Sequence, residues 1–148
     1  MKRIVLFVDG ECPMCVAGAL RLRQIDVGRS ILIRNVHDPA VRAMLPERLA
    51  GQMLRSMIAR MPDGSWRLGY FAWCEVLSAV LPLSMLGRIM KWPVFYGIGP
   101  AVYNWIAGHR LVISRLLRLP PPCDPSGVCR LDAAQDFMAA QQTLFGKS

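Results

Sequence analysis

Apolar residues run unbroken from Ile4 to Val8 and stop at Asp9-Gly10. A short β-branched run bounded by turn residues predicts a buried strand. From Pro13 to about Ile25 the pattern changes to helical spacing, with Cys15, Val16, Ala19 and Leu20 sharing a buried side and Arg21, Gln24 and Asp26 facing outward. Pro13 suits the first helical position because its missing N–H costs nothing there, which makes Cys12 the N-cap. Gly28 is expected to end the helix.

Ile31–Val36 reads as a second strand. Strand, helix and strand this close together predict a right-handed βαβ unit with parallel pairing. Asp38-Pro39 is a cap followed by a first-position proline, so a short helix to about Leu45 is expected. Ser56–Met61 and Trp66–Tyr70 flank the turn residues Pro62-Asp63-Gly64-Ser65 and predict a hairpin. Helical pattern then dominates. It predicts helices over Phe71–Leu81, Leu83–Met90, Ala101–Ala107 and Leu111–Leu117, a boundary at Pro120-Pro121-Pro122, and a final helix from Asp132 to about Leu144. The implied architecture is an α/β core in the order β-α-β-α-β-β with additional C-terminal helices. Residues 1–118 form the main domain, and 119–148 form a tail holding the prolines, Cys123, Cys129 and the terminal helix.

The chain has 148 residues, 53% of them hydrophobic and only 19% charged, which suits one domain with a sizeable core and argues against extensive disorder. The longest stretch free of charge or histidine, Trp92 to Gly108, is broken by Pro93, Gly97, Gly99 and Pro100. It falls short of a clean bilayer span, and a packed helical core is expected there, with shallow membrane contact as the other reading. Lys2 and Arg3 precede an apolar run too short for a signal-peptide core, so the protein is expected to stay in the cytoplasm. The net charge of +8 is scattered over the chain without a dense block or a Gly-rich phosphate loop. This favours a solvated basic surface over a nucleic-acid site.

Candidate chemistry concentrates at Cys12 and Cys15. The C-x-x-C spacing puts two sulfurs one helical turn apart, close enough to bridge. Unpaired N–H groups and the helix dipole favour a thiolate there, and such sites lower a thiol pKa from about 8.5 to roughly 3.5–7.5. Cys12 is expected to be the more exposed thiol and the attacking nucleophile, and Cys15 the resolving thiol. Asp9, three residues before Cys12, is a candidate for accepting or relaying a proton, although Asp-Gly is also plain turn chemistry. A carboxylate there would raise the thiol pKa and oppose the helix. Glu11 fills the place of a second acid too loosely for a phosphotransfer site.

Cys74 is expected to be a buried, inert thiol. Cys123 and Cys129 are six positions apart across a Pro/Gly turn. They suit a local disulfide, a second redox pair passing electrons to the first, or zinc ligation with Cys12 and Cys15. His37 and His109 have no metal-ligand partner at suitable spacing and read as surface or capping residues. Trp66, Trp73, Trp92 and Trp105 are expected in the core. Met14, inside the motif, offers a soft apolar contact to a partner.

Asp9, Cys12 and Cys15 together make an Asp-x-x-Cys-x-x-Cys pattern, and here the chain resembles the DCC group of thiol–disulfide oxidoreductases. Asp63-Gly64, Gly69 and Ala72 are similar to a D-G…G-x-x-A stretch of that group. Tyr103, Ile106-Ala107, His109-Arg110 and Ser114-Arg115 are similar to its late helical segment. The resemblance covers about Ile4 to Leu117 and implies a thioredoxin-like fold and dithiol–disulfide exchange with a protein or low-molecular-weight thiol, without an organic cofactor. Two features depart from the thioredoxin pattern. No proline stands near Ser56, where a cis-proline usually faces the cysteines, and the tail lies outside the resemblance. Readings from other classes are a zinc-stabilised binding module using Cys12, Cys15, Cys123 and Cys129, and a membrane-peripheral interaction protein.

Overall fold

The computed structural model describes residues 3–132. Four strands, β1 (Ile4–Val8), β2 (Ile31–Asn35), β3 (Ile58–Arg60) and β4 (Trp66–Leu68), form one sheet in the order β2-β1-β3-β4. β1 pairs parallel to β2, with Val8 opposite Asn35, and antiparallel to β3; β3 and β4 form the expected hairpin. Asp63 Oδ1 accepts the Ser65 N–H at 2.8 Å and stabilises that hairpin turn. Mixed pairing of this order, with a βαβ unit followed by a hairpin, is a thioredoxin-like α/β fold.

Period-two alternation in β1 splits the core in two. Ile4, Leu6 and Val8 face α1 (Pro13–Ile25) and α4 (Gly69–Ala79), packing on Val16, Ala19, Leu22, Ala72 and Val76. Phe7 faces the other side, where α2 (Pro39–Ala43) and α3 (Glu47–Ala50) contribute Val41 and Leu49. α3 was not expected from the sequence. The proline-capped turn at Pro46 starts it, and Leu49 anchors it in the core.

Three local expectations are corrected. Asp26 does not face outward. It is 8% exposed, and its carboxylate accepts the backbone N–H groups of Ser30 and Ile31 at 3.1 and 2.8 Å, tying the end of α1 to the start of β2. The left-handed backbone after α1 falls on Arg29 (φ 49°) and not on Gly28. The two short helices expected over Ala101–Ala107 and Leu111–Leu117 are one helix, α6 (Pro93–Leu116), with Pro100 inside it. Proline in a helix loses one hydrogen bond, yet the pitch continues, because α6 packs on α4 and α1. Gly99 permits that approach, since a Cβ there would collide with the Tyr70 ring.

α5 (Ser84–Met90) and α6 do not form the expected apolar interior. Leu81, Met85, Trp92, Ile98, Trp105 and Leu116 are between 60% and 81% exposed, which corrects the placing of Trp92 and Trp105 in the core. These helices bury one side on α4 and leave the other open. Among the described residues no single helix is long and apolar enough to cross a membrane, although α4 and the Leu81–Met90 segment, bent by 115°, pass that test as a pair. Beyond α6 the chain turns back, and Leu131 enters the core at 1% exposure. The terminal helix expected from Asp132 lies, apart from Asp132 itself, outside the described residues.

The division of burial makes a stability prediction. Leu6→Ala, at a fully enclosed site, should cost about 2–5 kcal/mol. Val27→Ala, at a site 84% exposed, should stay within about 0.5 kcal/mol. Urea unfolding of the two variants checks this, and equal losses would contradict the assigned core.

Candidate active site

The cysteine motif sits where β1 passes into α1. Asp9 follows the last residue of β1, and the Cys12 N–H bonds back to the Asp9 carbonyl at 3.3 Å, closing a turn. Cys12 is the N-cap of α1: its backbone is extended, and its Sγ accepts the Cys15 N–H at 3.4 Å. The sulfur thus takes the place that a serine or aspartate oxygen takes in other caps. Pro13 occupies the first helical turn, as its chemistry predicts.

This geometry corrects the expected exposures. Cys12 is only 3% exposed, while Cys15 is half-buried. Capping turns the Cys12 sulfur inward over the first turn of the helix, whereas Cys15 lies in the wall of a cleft. Both are free thiols. The Cys12 thiol is lowered to about 6, first by the hydrogen bond from the Cys15 side chain and then by the Cys15 N–H and the Arg110 charge, against burial and the Asp9 charge. The Cys15 thiol is pushed up by the same shared hydrogen bond, by burial, and by the charge on Cys12. One sulfur therefore carries the charge while the other keeps the proton. The remaining free thiol, Cys74, is buried in α4, and burial pushes it up, as befits an inert group.

Asp9 is held by groups from three directions. Its Oδ1 accepts from His37 Nε2 at 2.9 Å and from the Glu11 N–H at 3.1 Å, and its Oδ2 lies 3.6 Å from Arg110 Nη2. His37 therefore belongs to the site, which corrects its reading as a plain surface or capping residue. The signal is the strand register. With Val8 opposite Asn35, the ends of the two strands lie together, and the His37 ring, two residues beyond β2, reaches Asp9, one residue beyond β1. Arg110 comes from α6, a hundred residues along the chain, and no local pattern marks it as a partner of Asp9. His109, next to it, stacks on Trp105 and stays exposed, in keeping with the expected surface role.

Asn35 was also missed. It is 4% exposed, and its Oδ1 accepts the N–H groups of Gly10 and His37 at 3.2 and 3.1 Å. Its Nδ2 donates to both carboxylate oxygens of Asp132 at 2.9 and 3.0 Å. Gly10 is required under that amide, because a Cβ there would lie 2.5 Å from the Asn35 side-chain atoms.

A cleft of about 620 Å³ opens on the Cys15 side, between α1, α4, α6 and the sheet. Met14, Trp73, Phe95 and Ile98 give it an apolar lining, with Asp9 and Arg110 also in its wall. Its size is that of a small-ligand site. Before β3, where thioredoxins carry a proline, Met57 has an N–H that needs a partner. Tyr103 supplies its hydroxyl oxygen at 2.9 Å. No peptide bond among the described residues is cis.

Cys123 and Cys129 are joined to each other as a disulfide. The four-thiolate zinc set is therefore not assembled here, and among the described residues no group of three metal-ligating side chains occurs.

A family model described as DCC1-like thiol-disulfide oxidoreductase matches residues 6–116, well over half of the chain. No curated protein and no solved structure matches it.

The shared hydrogen bond predicts a pH profile. Cys12 is an acid held below its ordinary range, so its thiolate persists at neutral pH and is lost only as pH falls through about 6. Thiolate ultraviolet absorbance should show one such step, absent in Cys12→Ser. Arg110→Gln should move the step to higher pH and Asp9→Asn to lower pH. A single step in the ordinary thiol range would contradict the assigned hydrogen bond.

Proposed function

We propose that the chain, which belongs to the DCC1-like thiol-disulfide oxidoreductase family, exchanges a dithiol for a disulfide at Cys12 and Cys15 with a protein or low-molecular-weight thiol partner. The observation that carries this reading is the helix cap. Cys12 Sγ accepts the Cys15 N–H while the neighbouring thiol holds the proton. The Cys12 thiolate attacks one sulfur of the partner disulfide and forms a mixed disulfide, and the first partner thiolate leaves. Cys15 then attacks Cys12 Sγ, closing the Cys12–Cys15 bridge and releasing the second partner sulfur. Before this step Cys15 must give up its proton.

Asp9 is the base we assign to that transfer, since it shares the cleft wall with Cys15. His37 and Arg110 orient it. The apolar cleft, with Met14 at its edge, offers a seat for an apolar portion of the partner. We place the reaction in the cytoplasm, where a reducing thiol pool returns the pair to the dithiol form.

A second reading rests on the open faces of α5 and α6. Their exposed apolar side chains lie among Arg88, Lys91, Arg115 and Arg118. Exposed apolar helices with basic residues at their ends, of which Lys91 pairs with Glu75, suit attachment to an anionic membrane surface. Co-sedimentation with anionic liposomes at low and high salt tests it, and absence of binding at low salt ends it.

For the exchange itself, Cys12→Ser should abolish both the mixed disulfide and the bridge at the Cys12–Cys15 pair, and Cys15→Ser should accumulate the mixed disulfide. Asp9→Asn should slow the resolving step by about 10²-fold or more, while Cys12 still forms the mixed disulfide. Alkylation trapping followed by mass analysis reads all three. Full exchange activity in Cys12→Ser, or stoichiometric zinc protecting the thiols, would overturn the assignment.

A further inference from the structure

We propose that Cys123–Cys129 is a second redox centre that passes its disulfide to the Cys12–Cys15 dithiol within one chain. The inference rests on the reading of Cys12 and Cys15 as the exchanging pair.

The four cysteines stand in complementary states, with Cys123 and Cys129 bonded and Cys12 and Cys15 free. The tail that carries the bond lies beyond α6 and beyond the residues that the family model matches. It nevertheless returns to the motif. Cys123 Sγ lies 3.9 Å from the carbonyl oxygen of Gly10, in the turn that leads into Cys12. Two contacts hold it there. Asn35 grips Gly10 through its oxygen and Asp132 through its nitrogen, and Leu131 is anchored in the core at 1% exposure.

The hairpin between the two cysteines is itself ordered by hydrogen bonds. Asp124 Oδ1 accepts the N–H groups of Ser126 and Val128 at 3.0 Å each. A bridge over six positions restricts the unfolded chain less than a long-range one would. Leu131 and Asp132 already fasten the tail, so the bridge is not what alone holds it beside the motif.

Accessibility points the same way. Cys12 is 3% exposed, while Cys123 and Cys129 are half-buried, so the tail pair offers an incoming disulfide more open sulfurs than Cys12 does. The tail pair is therefore suited to meet external partners and to hand the disulfide inward.

The transfer balances within the chain. The Cys12 thiolate attacks Cys123 Sγ, the Cys12–Cys123 bond forms, the Cys123–Cys129 bond breaks, and Cys129 leaves as a thiolate. Cys15 then attacks Cys12 Sγ, and its proton passes to Cys123 as the Cys12–Cys123 bond breaks. Cys12 and Cys15 are oxidised to a disulfide, and Cys123 and Cys129 are reduced to a thiol and a thiolate. An external protein or low-molecular-weight disulfide reoxidises the tail pair by ordinary exchange.

The test uses the full chain with Cys15→Ser and Cys129→Ser, which leaves Cys12 and Cys123 to meet. It is oxidised in a graded glutathione series, quenched with acid, alkylated and digested without reduction. The expected result is an intramolecular Cys12–Cys123 bridge that displaces glutathione adducts from both sulfurs. Glutathione adducts on both sulfurs with no such bridge would overturn the relay.

Should the double variant fail to fold, as judged by circular dichroism, the wild-type chain is mapped through the same series. The tail bridge is expected to open within the buffers in which the Cys12–Cys15 pair changes state. A Cys123–Cys129 bond that persists through every such buffer overturns the relay and leaves the exchange reading intact. A Cys12–Cys15 bridge that never forms overturns both.

Discussion

Everything at the candidate site depends on one contact, the Cys15 N–H pointing at Cys12 Sγ at the start of α1. A helix begins with N–H groups that have no partner inside the helix. Here the group that satisfies one of them is also the candidate nucleophile. Capping and activation are therefore a single interaction: the hydrogen bonds that stabilise the helix start also stabilise negative charge on sulfur. The same contact draws Cys12 inward and leaves Cys15 facing the cleft. The hydrogen bond between the two side chains adds the larger effect, leaving the charge on Cys12 and the proton on Cys15.

Around that contact the structure fastens distant parts of the chain to one turn. Parallel pairing of β1 with β2 brings Asp9 to His37 and Gly10 to Asn35. α6 brings Arg110 to the other Asp9 oxygen. The tail reaches the same place through Asp132 on the free side of the Asn35 amide. Asn35 suits this post because a buried neutral amide can donate and accept at once without the cost of a buried charge. The ionisable groups, Asp9, His37 and Arg110, keep partial exposure and one another's company.

The helical half of the protein plays a different part. α4 completes the core, while α5 and α6 bury only one side. Between α6 and the sheet lies the apolar cleft with Cys15 in its wall, and the Tyr103 hydroxyl accepts the Met57 N–H just before β3. Access to the thiols is therefore shaped by α6 and by the tail, both of which are additions to the sheet.

What the sequence by itself determined is local. The apolar run Ile4–Val8, the Pro13 start, the Asp38-Pro39 cap and the Asp63-Gly64 turn specify their elements through neighbouring residues, and the order of elements implies the parallel βαβ unit, while the thioredoxin-like fold was implied by the family resemblance. Cys12 and Cys15 were legible because spacing and a helix start suffice to suggest the chemistry. Tertiary structure alone decided the rest. Asp26 looks like a surface residue, and Asn35 like any strand residue, until backbone N–H groups gather on their side chains. His37 and Arg110 look unpaired until strand register and a long helix deliver them to Asp9. Gly97, Gly99 and Pro100 read as a break, but packing on α4 and α1 carries the helix through them. Trp92 and Trp105 read as core because apolarity is visible in a sequence, whereas the presence of a neighbour to cover them is not. Periodicity and capping act within a few residues, while burial and charge pairing depend on which distant segments arrive.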